Sequence, residues 1–311
     1  MISAIALFCA VPLVAQVPQA RTLVEEGRYD EAKRLLVPLS KDAEALHLLS
    51  RIAMLHADDE AAADFCRKAV QLQPANAEYH YCVGNAVRSV VQHASIFKKP
   101  ALSKETLQEL GRALELDPNH LPARFALLDY NLYAPAIAGG SEEKALEQAA
   151  EIRKRDALMG HRAYARVYSR QKKPDLARKE LVDAVREDPK SARAHAALGS
   201  FYANDDKNYD AAFHELESAI RLDAAYMPAW FSLGQAAATS SANLARGEGA
   251  LRKYLAYRPK AGEPSHAGAW YALGMIQEKT GKRAEARQSY ATAAKLNPGS
   301  QDMQRALKRV Q

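Results

Sequence analysis

The chain has 311 residues, among them 61 Ala, 15 Gly and 14 Pro, and its 43 basic and 37 acidic side chains give a formal charge of +6. So much Ala, beside Leu, Lys, Arg and Glu, favours helix, because these side chains lose little freedom there. Charged residues at 26%, hydrophobic residues at 48% and a mean hydropathy of −0.36 exclude a disordered chain, a multispanning membrane protein and a disulfide-built miniprotein.

Residues 1–20 carry no charged side chain, and Ile2 to Ala15 form an apolar run. That run is too short to span a bilayer as a helix. It reads as a secretory signal peptide over residues 1–15, cleaved after Ala15, although its first residues include no Lys or Arg. Phe8 before Cys9 argues against a lipoprotein site, and the alternatives are a buried first helix or an uncleaved anchor. No membrane span is expected in the mature chain.

Beyond it the same spacing returns. Gly27, Ala32 and Leu36 mark a short first unit, over about 16–42. Leu46, Leu49, Ser50, Ala62, Cys66, Ala69 and Pro74 mark a second, 43–76. Leu110, Ala113 and Pro118 close a third, 77–120, which needs about ten extra residues at 93–104 before its second helix. Ala145, Ala149 and Ile152 close a fourth, 121–157, which carries APAIAGGS at 134–141. There Pro135 should end a helix, Gly139 and Gly140 permit positive φ, and Ser141 should start the next helix.

His161, Ala165, Tyr168, Ala177, Leu181, Ala184 and Pro189 mark the fifth unit, 158–191. His195, Leu198, Gly199, Tyr202, Ala212, Leu216 and Ala219 mark the sixth, 192–226, with Ala224 where Pro is expected. Trp230, Leu233, Gly234, Leu251 and Pro259 mark the seventh, 227–262. Trp270, Leu273, Gly274, Ala286, Tyr290, Ala293 and Pro298 mark the eighth, 267–300. Residues 301–311 are polar enough for a closing cap helix.

This pattern resembles the tetratricopeptide repeat, a helix–turn–helix unit. The resemblance implies an all-α, right-handed superhelical solenoid of about eight repeats over residues 16–311 with a C-terminal cap helix. Small residues at Gly84, Gly199, Gly234 and Gly274 would let paired helices approach closely, and each unit would bury its apolar face only against its neighbours. The Pro…Gly-Gly-Ser insertion resembles one found in exported bacterial members, including T-components associated with TRAP-type transporters. Both insertions could form a contact surface.

No catalytic, metal or cofactor site is expected. HELES at 214–218 lacks the second His of a zinc-protease helix, and the Gly and Lys residues of 274–283 have the wrong spacing for a phosphate loop. His80, His161 and His195 share the slot of Trp230 and Trp270 and are read as packing residues. Cys66 and Cys82 fall on neighbouring helices. Export would permit a disulfide between them, whereas buried free thiols at helix interfaces are common.

Charge is distributed unevenly. Residues 151–179 hold ten Lys or Arg against three Asp or Glu, more than the excess of the whole chain. Arg162, Arg166 and Arg170 recur every fourth residue and share one helix face. In the family, first helices line a concave groove that binds extended peptides. By register that face also offers Tyr81, Asn85 and Arg88; Phe125, Asp129 and Tyr133; Phe231 and Gln235; and Tyr271 and Met275. The arginines would take carboxylates, and the aromatic residues apolar side chains.

The expectation is a non-catalytic scaffold that binds a protein or peptide, with an acidic segment, and no nucleic acid. Its expected place is the periplasm or outside the cell, with the cytoplasm as the alternative. The second reading is a periplasmic accessory protein of a solute transporter that binds a small anionic ligand. Oligomeric state is left open.

Overall fold

Every regular element among the described residues of the computed structural model, 13–259 and 263–311, is a helix. They gather in two units that meet in sequence at His120 and Leu121. The first unit holds α1 (Leu13–Glu25), α2 (Tyr29–Leu36), α3 (Ala43–Leu55), α4 (Asp59–Leu72), α5 (Ala77–His93) and α6 (Lys99–Leu116). The second holds α7 (Leu121–Tyr133), α8 (Glu142–Arg155), α9 (Ala157–Arg170), α10 (Pro174–Glu187), α11 (Ala192–Phe201) and α12 (Tyr209–Leu222). It continues with α13 (Met227–Ser240), α14 (Leu244–Leu255), α15 (His266–Lys279), α16 (Arg283–Leu296) and α17 (Gln301–Arg309). The expected signal run lies outside the described residues up to residue 12, and α1 crosses the expected cleavage point. No helix among the described residues is long and apolar enough to cross a membrane.

Consecutive odd- and even-numbered helices pack as hairpins, and the small residues explain why. A Cβ placed on Gly274 would lie 2.7 Å from the ring of Tyr290, which is fully buried. A Cβ on Gly234 would lie 2.3 Å from Leu251 Cγ. Neither distance is tolerable for a real side chain, so each hairpin closes only because that Cβ is missing. Ala62, Ala177, Ala212 and Ala286 are fully buried at the facing positions.

Successive hairpins are tied by a repeated polar contact. His80 Nε2 donates to the carbonyl of Pro74 at 3.0 Å, His195 Nε2 to that of Pro189 at 3.1 Å, and Trp230 Nε1 to that of Ala224 at 3.0 Å. Each acceptor lies six residues upstream, at the end of the preceding hairpin. The other ring nitrogen of His80 meets Glu109 at 2.6 Å, and that of His195 meets Glu215 at 2.6 Å. His161 differs: its Nδ1 meets Glu180 at 2.8 Å and its Nε2 meets Glu187 at 3.1 Å, so carboxylates of the following helix take both ring nitrogens. These histidines therefore pack, as expected, and also carry paired hydrogen bonds. At the joints Asp117, Asp188 and Asp223 each accept the amide two residues on. That turn forms from the Asp alone, so Ala224 can stand where Pro stands elsewhere.

Three features differ from the reading of the sequence or refine it. The extra residues expected as a loop at 93–104 mostly form helix: α5 ends at His93 and α6 already starts at Lys99. Pro100 falls in the first turn of α6, where its missing N–H costs nothing. Cys66 and Cys82 form a disulfide that joins α4 to α5. The sixth repeat has one residue more between His195 and Ala212 than the fifth has between His161 and Ala177. Residues Tyr202–Asp206 absorb it as a π-helical turn that closes on Lys207 at φ 55°.

In the second insertion Gly139 has φ 89° while Gly140 does not take positive φ, and Ser141 Oγ accepts the amide of Lys144 at 3.3 Å to start α8. At the C-terminus α17 buries Met303, Ala306 and Val310 against α16 and α15. Arg309 grips Glu278 with two hydrogen bonds of 2.8 and 2.7 Å, and Tyr290 Oη donates to the same carboxylate at 2.8 Å. Those bonds, Arg309 foremost, hold the Glu278 carboxyl below its usual pKa.

Gly274→Ala should cost about 1–3 kcal/mol through overpacking against Tyr290. Gly249→Ala is the control, since its added methyl would meet nothing within 4 Å. Denaturant melts of the two variants check this, and equal midpoints would refute the close approach. Because the folded pKa of Glu278 is depressed, its contribution to docking α17 is present above the unfolded value and lost as pH falls through the folded one. Protection of the α17 amides, corrected for the intrinsic pH dependence of exchange, should therefore fall as pH drops below the ordinary Glu value of about 4.3. In Glu278→Gln that acid step should disappear.

Candidate functional site

In the second unit the first helices of four hairpins line a cleft of about 1250 Å³. Phe125 and Tyr133 of α7 form one end. Met159, Arg162, Arg166, Ser169 and Arg170 of α9 form a wall, and Arg193, Ser200 and Phe201 of α11 face them. Asn204 and Asp205 of the π turn, then Tyr226 and Ser232, also line it, and the cleft includes Lys172 and the acid Glu263. Helix α9 turns Gly160, His161, Ala163, Ala165 and Val167 inward, which leaves positions 162, 166 and 170 on its outer face.

The cations of this cleft differ in what they hold. Arg166 Nε pairs with Asp129 Oδ1 at 2.8 Å. The Arg170 guanidinium lies 5.6 Å from the centre of the Tyr133 ring. Arg193 reaches Asp156 at 3.6 Å. The Arg162 guanidinium has a contact of 3.4 Å with the sulfur of Met159 and no carboxylate within salt-bridge distance among the described residues.

Solvent reaches Arg162, but the cleft walls take it out of bulk water. That desolvation, with Arg193 and Arg166 close by, holds its pKa below the ordinary value. Tyr226 faces it; burial raises the Tyr226 pKa, opposed by Arg162 and Arg193. Asp205 is also raised, first by burial, and a hydrogen bond from Ser169 opposes the shift. The result is an electropositive floor at Arg162 and Arg193, a phenol beside it, and neutral donors at Ser200, Ser232 and Asn204. Such a floor stabilises an anion, whose arrival would relieve repulsion between the guanidinium groups.

The residues proposed from the sequence separate into groups. Phe125, Tyr133, Arg162, Arg166 and Arg170 come together in the cleft, with Asp129 behind Arg166. Phe231 packs 5.4 Å from the Tyr254 ring, and Tyr271 lies 5.7 Å from that of Tyr290; both belong to the packing within their own hairpins. Gln235 is exposed, Met275 packs on the core, and none of these four lines the cleft. Tyr81, Asn85 and Arg88 lie on α5 in the first unit. There Tyr81 meets the His120 ring at 5.2 Å, and Arg88 donates to Asn85 at 2.9 Å.

Sequence reasoning missed Arg193, Ser200, Asn204 and Tyr226. The register that picks Phe125, Asp129 and Tyr133 picks Ala196, Ser200 and Asn204 when counted from His195. Polar residues at the last two were the available signal. Arg193 and Tyr226 stand before their helices' packing slots and had none. Among the described residues no group of three or more His, Cys, Asp or Glu is placed to hold a metal ion.

Stacked helical hairpins with a cleft on the first-helix face define a repeat scaffold. Tetratricopeptide repeat family models match residues 17–77 and 162–227, and a second such model matches 267–300, together over half of the chain. The chain belongs to the tetratricopeptide repeat family, whose fold is that of a protein–protein interaction scaffold. Among solved structures it is similar to yeast Tom70, with a TM-score of 0.63 and 13% identity, covering 99% of this chain but only 65% of that one. A tetratricopeptide repeat protein from Parabacteroides merdae gives a TM-score of 0.48 at 15% identity, covering 86% of this chain and 98% of that one. A thermophilic protein of the same kind from Thermus thermophilus gives 0.47 at 21%, covering 60% and 99%. No curated protein matches.

Proposed function

We propose that the cleft of the second unit binds an extended acidic segment of a protein partner, without catalysis. The observation that carries this reading is Arg162, a guanidinium held among like charges with no carboxylate of its own. An acidic side chain or terminal carboxylate would sit between Arg162 and Arg193, within reach of Tyr226. Phe125 and Tyr133 would take apolar side chains at one end, and Ser200, Ser232 and Asn204 would take backbone groups. Compared with the stripe read from the sequence, the emphasis moves from Arg166, which Asp129 already holds, to Arg162, with Arg193 beside it bound only by a 3.6 Å contact to Asp156.

The protein is proposed to work in the cell envelope or outside the cell. Support comes from the Cys66–Cys82 bridge, of a kind that persists in oxidising compartments, and from the apolar run before Ala15.

Fluorescence anisotropy of an acidic peptide library at low salt tests the cleft. The double variant Arg162→Glu/Arg193→Glu should weaken the best peptide by at least about tenfold, or about 1.4 kcal/mol. Arg252→Glu on α14, away from the cleft, should leave it unchanged. Retained affinity in the double variant would remove the cleft from the reading. The compartment is tested by alkylating protein quenched directly from cells: Cys66 and Cys82 should stay unlabelled until reductant is added, and prompt labelling would count against export.

A further inference from the structure

The turn between α5 and α6 exposes two adjacent apolar side chains. Ile96 is 75% exposed and Phe97 91%. The turn is not loosely held. The amide of Ala94 donates to Val90 O, and those of Lys98 and Lys99 both donate to Ser95 O, at 3.0, 3.0 and 3.2 Å. On either side Val90 and Leu102 pack on the core formed around Cys66 and Cys82. A hydrogen-bonded turn thus presents Ile96 and Phe97 outward at its tip.

Its charge is one-sided. From Tyr79 to Lys104 the chain has no Asp or Glu, while Lys98, Lys99 and Lys104 follow the apolar pair and His93 precedes it. All four are exposed, and the side chains of the three lysines make no ion pair or hydrogen bond among the described residues. Of the nearest acids, Asp64 and Glu105 are held by Arg67 at 2.8 and 2.7 Å. Glu60 lines the same hollow as Lys98 without pairing with it among the described residues.

We propose that this tip docks on an anionic phospholipid surface. Ile96 and Phe97 enter the boundary between headgroups and acyl chains, and Lys98, Lys99 and Lys104 meet the lipid phosphates. Two side chains on a convex turn offer far less than the roughly 800 Å² per partner of a specific protein interface. They suffice for interfacial insertion, where apolar groups partition while cations on long stems stay at headgroup level. The charge complementarity selects an anionic surface, and the docking is peripheral.

Flotation of the full chain with vesicles of equimolar phosphatidylcholine and phosphatidylglycerol, against phosphatidylcholine alone, tests this. The wild type should prefer the anionic vesicles and lose that preference in high salt. Phe97→Asp should reduce binding by at least about tenfold, and Lys98→Glu/Lys99→Glu should abolish the preference for the anionic lipid. Both changes lie at exposed positions, so unchanged melting curves should accompany the loss. Equal binding of wild type to both vesicles, or Phe97→Asp binding as well as wild type, would overturn the proposal. A lower solution mass of Ile96→Ser/Phe97→Ser than of wild type, without lipid, would assign the tip to self-association and overturn it equally.

Discussion

Four of the hairpins depend on one steric condition: the first helix must offer less than a methyl group where the second offers Leu or Tyr. Leu110 closes on Gly84, Leu216 on Gly199, Leu251 on Gly234 and Tyr290 on Gly274. A helical Gly costs conformational entropy, of order 0.5–1 kcal/mol relative to Ala. Here the cost is offset because the absent Cβ lets a large apolar side chain bury completely. Where the fifth hairpin has Ala165 instead, Leu181 opposite keeps slight exposure. The close approach sets the helix spacing, and the spacing fixes which residues of the first helix remain on the open face.

Three joints between hairpins follow a second, polar rule. One ring N–H from His or Trp answers the last carbonyl of the preceding hairpin, so chemically different residues fill one slot. Trp supplies the bond with a single nitrogen. His supplies it and has a second nitrogen, which the structure matches with Glu on the following helix. This explains why Glu109 and Glu215 are placed where they are, a pattern that hydrophobic periodicity alone does not reveal.

The helix-pair architecture was legible because the spacing of small and large apolar residues is set by local packing, which is the same in every hairpin. Gly139 and Ser141 could be read one by one for the same reason: their backbone and capping roles are intrinsic to the residue type. What was not legible depends on partners far apart in sequence. Asp129 takes Arg166 across helices, so a stripe that looks uniform on one helix contains one spoken-for cation and one without a carboxylate. Phe231 and Tyr271 sit at the same register as Phe125, but the rings of Tyr254 and Tyr290 opposite them draw both into packing. The disulfide was one of two open arrangements, since spacing places Cys66 and Cys82 on neighbouring helices without deciding their oxidation.

The sixth repeat shows how one inserted residue alters a surface without disturbing the array. A helix that gains a residue must either rotate everything after it by about 100° or absorb the excess locally. Rotation would carry Ala212 and Leu216 out of register with Gly199, so the excess stays in a single π turn, where ladder bonds are cheapest to rearrange. That turn brings Asn204 and Asp205 to the rim of the cleft, opposite the arginines of α9. On the proposed reading, the desolvated Asp205 limits what the cleft would hold: an anion would be favoured at Arg162 and Arg193 and opposed near the turn. An extended ligand with its charge at one place and neutral groups along the rest satisfies both conditions, whereas a uniformly acidic one does not.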